Sequence, residues 1–235
     1  MPAAPQGIRD ELLSAKNMGI CQSLDTRPLI RTGAYVESML VDGGSGKVTT
    51  TGTGGHRTAP EMWQVIMTRL NRAKQHKLLS GLGIASTNPS FACLDLPASL
   101  PKDQDLHIHF SPMMENTSMS SAAAAVSVIA LLMGYQRRPG VALAAELSVD
   151  GQIFQSFEMP HNYVELCISQ GITKLLLSWH SDDEFHGEKG LVIERKGILR
   201  DCLPDLLMPN PYHAGGEQDA DGGEGGQREV GGDHP

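Results

Sequence analysis

The sequence predicts an α+β fold, or an irregular α/β one, from three observations. Strand-like and helix-like segments follow one another without a strict βαβ rhythm. Two pairs of strand-like segments meet across glycine turns, at "DGGSG" and at "VDGQ". An alanine-rich run, "SSAAAAVSVIALLM", has the composition of a helix buried against a sheet. With 235 residues, 40% of them apolar, the chain can fill one substantial core.

Taken in order, residues 1–25 read as an N-terminal extension that is partly ordered at best. Its "IRDELLSA" segment suits a short helix with no evident docking partner. The body then runs over 26–213. Segments 35–41 ("YVESMLV") and 47–53 ("KVTTTGT") flank the first glycine turn and are expected to pair as a hairpin. Thr58 and Glu61 stand at capping-box spacing around Pro60, and Met62, Val65, Ile66 and Leu70 form a stripe. These features predict an amphipathic helix ending near 79–81. "DLHIHFSP" is a short alternating strand, and residues 120–133 are the buried helix. "GVALAAELSVDGQIF" is a second hairpin turning at Asp150 and Gly151, and "MPHNYVELCISQG" is a short helix with a glycine stop. "ITKLLLSW" is a buried strand, and "LVIERKGILRDCLPDLL" a closing strand and helix. Residues 214–235 are glycine-rich and acidic, with too little apolar surface to offset chain entropy, and are expected to be disordered.

Charge and composition exclude several classes. The formal charge is −8, and the tail holds six acids against one arginine, which leaves the body only mildly acidic. Nucleic acid is not an expected partner. The apolar run of 122–133 ends at Gly134 ahead of Gln136, Arg137 and Arg138, too short for a membrane span. "MPAAPQGIRDELL" lacks a signal core and a transit-peptide composition, so the expected compartment is the cytoplasm or an organelle matrix. Cys21, Cys93, Cys167 and Cys202 are isolated, with no Cys-x-x-Cys, and read as reduced thiols.

Three motifs could carry chemistry. "GGSGKVTT" resembles a phosphate loop, but Val41 stands where the first glycine belongs and Val48 where a Ser or Thr belongs, so a turn is expected. His107 and His109 share one face of a strand. No third ligand lies nearby in sequence, so structural histidines are expected and no metal or cofactor site is predicted. The serines around Ser120 sit at the start of a helix. There a hydroxyl is either a cap or a nucleophile placed beside free N–H groups that would stabilise an oxyanion.

The order of "AYVES", "GKVTTTGTGG", "DLHIHF", the Ser–Ala helix start, "GVALAAELSVDGQI", "QGITKLLLS" and "RKGILRDCL" resembles the proteolytic domain of the Lon family of ATP-dependent serine proteases, over about 32–207. The resemblance implies the Lon-type α+β fold and six-membered rings, as a homo-oligomer or with Lon-related subunits. It also implies a polypeptide substrate or peptide ligand. ATP would enter only through a separate motor, since this chain has no Walker-type segment.

The family's Ser–Lys dyad is where this chain departs. The Asp-Gly-Pro-Ser-Ala-Gly motif falls on Thr117, Ser118, Met119, Ser120, Ser121 and Ala122, which puts Ser120 at the nucleophile position without the acid or the glycines. The lysine position falls on Asn162, counted from Gly151, or on Tyr163, counted from "QGI". "SFEMPHNYVEL" contains no lysine, and Ala144 stands where a threonine usually supports it. His161 is the possible substitute base, although a continuous helix would turn it about 100° or 200° away from the serine. The expectation is an impaired peptidase-like domain acting in peptide binding or assembly. The alternative is an active serine endopeptidase with Ser120, Ser118 or Ser121 as nucleophile and His161 or Tyr163 as base. A third possibility is that the chain is the C-terminal piece of a longer Lon-like protein, or a degenerate duplicate.

Overall fold

The computed structural model of the protein describes residues 18–23, 34–52, 100, 102–110, 120–148, 151–155, 161–179 and 190–210. The expected helix ending near 79–81, Ser118, Cys93 and the tail from 214 onward lie outside these residues. Helices and a mixed sheet combine in an arrangement compatible with α+β. None of the described helices is long and apolar enough to cross a membrane.

The sheet starts from β1 (Met18–Ser23), which pairs antiparallel with β2 (Ala34–Asp42). β1 lies inside the segment expected to be an N-terminal extension, and it sits in the middle of the sheet.

The first expected hairpin is corrected by the structure. β2 and β3 (Val48–Thr51) do not pair; β4 (Gln104–Phe110) lies between them, antiparallel to β2 and parallel to β3. The glycine loop instead wraps the start of β4. Gly44 N donates to Asp103 O at 2.8 Å, and Ser45 N and Lys47 N donate to Asp105 Oδ1 at 2.7 and 2.8 Å. With Gly46 N donating to Gln104 O at 3.1 Å, four donors committed to the start of β4 hold the two arms apart by one strand's width.

Helix α1 (Ser121–Met133) is buried over ten of its thirteen residues. An all-round apolar helix needs partners on several sides; β1 and β2 lie beneath α1, and β5 (Tyr135–Arg137), β7 (Glu146–Leu147) and helix α3 (Leu199–Leu206) also touch it. Gly134 closes the helix in the left-handed conformation, φ 65°, which glycine adopts without a Cβ penalty.

β6 (Val141–Leu143) joins the sheet parallel to β1, then β9 (Lys174–Ser178) and β10 (Val192–Lys196) follow in parallel, giving the order β10-β9-β6-β1-β2-β4-β3. The second expected hairpin exists in a shorter form. β7 pairs with β8 (Ile153–Phe154) across the turn at Gly151, while β6 leaves for the large sheet. Helix α2 (Tyr163–Ser169) and the closing strand and helix match their expected places. A ribbon of β11 (Leu207–Pro209) with β5 completes the described chain.

Strand alternation creates two apolar clusters, one per sheet face. Val141, Leu143 and Leu176 join α1 and α3 on one side, whereas Ala142, Ala144, Leu175 and Leu177 meet α2 on the other. The thiols of Cys21, Cys167 and Cys202 are buried in these clusters and unpaired, and burial pushes the Cys167 thiol up to about 12.

Candidate functional site

Ser120 occupies the N-cap position of α1 without capping it, because its side chain makes no bond to the first turn. Instead its Oγ donates to Ser23 Oγ at 3.2 Å, and both residues are 0% exposed. The start of α1 is stitched to β7, the first arm of the second hairpin, and to the residue before it. Ala122 N donates to Ala145 O at 3.3 Å, and Leu147 N donates to Ser121 Oγ at 2.9 Å. The Ala122 N–H, a donor an oxyanion would need, is therefore engaged within the fold.

The other expected positions gather at the head of α2. His161 is exposed in the preceding turn, Asn162 is the N-cap with no side-chain capping bond, and Tyr163 is the first helical residue, half-buried. Because α2 begins after His161, that ring is not fixed on a helix face. Yet α2 packs on one face of the sheet and α1 on the other, so Ser120 and Tyr163 belong to opposite layers. Ala144, at the position of the supporting threonine, is fully buried, and its N–H donates to Leu176 O at 3.1 Å.

The described lysines are Lys47, Lys102, Lys174 and Lys196. Lys174 and Lys196 join Glu194 and Asp205 in a four-charge cluster between β9, β10 and α3. Lys174 Nζ lies 2.6 Å from Asp205 Oδ1 and Lys196 Nζ 3.0 Å from Asp205 Oδ2, and both lysines also bind Glu194. Partial burial works against the charge on each lysine. Hydrogen bonds to Asp205 and Glu194 outweigh it and hold both amines above the usual lysine range. A dyad lysine requires the opposite shift.

The histidines of β4 are engaged by β3. Thr49 Oγ1 meets His107 Nδ1 at 3.0 Å, and Thr51 Oγ1 meets His107 Nε2 at 2.9 Å and His109 Nδ1 at 2.8 Å. Among the described residues, no three His, Cys, Asp or Glu side chains come together in a way that could hold a metal ion.

Sequence reasoning missed Ser23, the partner of Ser120. Its signal was faint, since "MGICQS" offers a single Ile and a Cys as buried apolar side chains. The charge cluster was more accessible, because Glu194 and Lys196 are two residues apart on one strand face. No protein-family model matches the chain, and a comparison with curated proteins finds no match.

Proposed function

We propose that this chain is a Lon-type peptidase-like domain that has lost Ser–Lys chemistry and acts by binding peptides or by assembling with Lon-related subunits. The observation that carries the reading is the condition of Ser120, which stands at the family's nucleophile position. It is fully enclosed, and its hydroxyl donates to Ser23 Oγ. A serine nucleophile needs both a proton acceptor and access for the scissile carbonyl. The lysines at Lys174 and Lys196 are held charged by their acidic partners and do not supply the neutral amine. Losing one member of a nucleophile–base pair lowers the rate by about 10⁴–10⁶, because the two act as one device.

The test combines a fluorophosphonate probe with fluorogenic peptides, using Ser120→Ala as the control. No Ser120-dependent labelling or cleavage is expected, while a labelled unstructured peptide should bind wild type and Ser120→Ala equally. Labelling and turnover that vanish in Ser120→Ala would restore the enzyme reading.

A further inference from the structure

The two end strands of the seven-stranded sheet, β3 and β10, are defended very differently. An end strand presents a row of backbone donors and acceptors to any chain able to pair with it, and charged side chains deter such pairing. β10 carries Glu194, Arg195 and Lys196, whereas β3 is Val48, Thr49, Thr50 and Thr51, all β-branched strand formers and none charged.

The register fixes which backbone groups of β3 face outward. β3 runs parallel to β4 with Val48 opposite Leu106, and Lys47 O accepts from Leu106 N at 2.8 Å. Backbone direction alternates along a strand, so Thr49 and Thr51 turn their N–H and C=O groups towards β4, while Val48 and Thr50 turn theirs outward. No other described strand lies along that edge. The side chains beside it divide by face. Val48 and Thr50 are half-buried on the α1 side, where Val48 packs against the main apolar cluster. Thr49 and Thr51 are exposed on the opposite side and bond the histidines of β4.

We infer that β3 is the docking edge for an extended peptide, which adds as a further strand with apolar side chains beside Val48 and polar ones beside Thr49 and Thr51. The inference rests on the peptide-binding part of the function proposed above. Size selects a peptide over a second copy of the chain. The outward groups of Val48 and Thr50 supply at most four backbone hydrogen bonds, whereas a stable protein–protein interface uses about 20–30 residues a side. Chemistry selects the side-chain pattern, because an apolar residue on the α1 side extends the cluster that Val48 already joins.

The test uses the full chain labelled with ¹⁵N and, as probe, a short peptide of alternating valine and serine with a lysine at each end. In the free protein the Val48 and Thr50 amides should exchange with solvent about tenfold faster than those of Thr49 and Thr51. The probe should slow the first pair and leave the second unchanged. Thr50→Pro removes one outward N–H where an edge strand tolerates proline, and should weaken binding about fivefold, the equivalent of one net hydrogen bond. In the probe, N-methylating one alternate set of amides should abolish binding, and methylating the other set should preserve it. Val48 and Thr50 amides that are already slow in the free protein would overturn the docking edge. So would a probe that fails to bind or binds without slowing them, or equal losses from both methylated sets. The exchange pattern and the methylated probes need only the wild-type chain, so they decide even if Thr50→Pro does not fold. A probe that binds elsewhere leaves the proposed function standing, whereas Ser120-dependent turnover would overturn that function and leave the edge intact.

Discussion

At Gly19 a strand and a helix touch backbone to backbone. A Cβ built there would sit 1.7 Å from Ser127 O and 2.7 Å from Leu131 N, both main-chain atoms of α1. Neither can swing aside, so Gly19→Ala must push the whole helix off β1. Overpacking of this kind costs on the order of 3 kcal/mol or more, and urea denaturation should record it as a lowered midpoint. Gly151→Ala is the informative comparison. Its φ is +88° but nothing lies within 4 Å, so only backbone strain is added, about 1–2 kcal/mol. A larger loss at Gly151 than at Gly19 would contradict this account. In the sequence the two glycines are equally visible, but only Gly151 has a turn around it to suggest a role. Gly19 owes its role to residues more than a hundred positions away, which no local pattern encodes. Ser120 was legible as a helix-start hydroxyl, yet its burial and its bond to Ser23 were not, for the same reason.

Between elements, the cluster of Lys174, Lys196, Glu194 and Asp205 clamps β9 and β10 to α3. Its side chains are 18% to 39% exposed, so solvent screens part of the attraction. Asp205→Asn, which leaves two amines sharing Glu194, should cost about 1 kcal/mol. The sign of the pH dependence follows from the carboxyls. Hydrogen bonds from Lys174 and Lys196 hold Glu194 below its ordinary range. Asp205 is shifted the same way, the two lysine bonds outweighing the effect of its partial burial. This stability is present above the unfolded carboxylate range near pH 4 and is lost as pH falls through the lower folded values. At the alkaline end, the raised lysines keep their contribution below about pH 10 and lose it above. Melting temperatures of wild type and Asp205→Asn should therefore differ near neutrality and converge in acid; a constant gap down to pH 2 would refute the assignment. Strand and helix identities in this region were readable from alternation and glycine stops. The pairing of β2, β3 and β4 was not, because the strand that separates the first two lies some fifty residues downstream.

The described elements form a seven-stranded sheet with a helical layer on each face, α1 and α3 on one and α2 on the other, and two two-stranded ribbons beside it. β1 is in the middle, paired with β2 by six register partners and touching β6 at Gln22 and Ala142. Gln22 Nε2 also donates to Gln170 O at 3.1 Å, tying β1 to the end of α2. A chain starting at Thr26, where the sequence suggested the body begins, would lack this strand and the floor on which α1 rests. Such a deletion is expected to abolish cooperative unfolding, read by circular dichroism against urea. A sharp transition in the shortened chain would show that β1 is dispensable. The α+β class could be read from the sequence, because it depends on local periodicity. The identity of the central strand could not, because Ile20 and Cys21 are adjacent rather than alternating and follow a stretch with helical character.

Gln22 meets Ala142 about 120 residues further along the chain, which affects how the protein is made. A ribosome releases β1 early and the strand that will flank it late, and α1, which covers its apolar side, emerges only shortly before β6. Until then β1 can join only the β2-β4-β3 side of the sheet, with no helix over its apolar face and its other edge open. Assembly of the centre thus waits for residues 121–143, and the nascent chain passes through a long interval with apolar surface of the sheet uncovered.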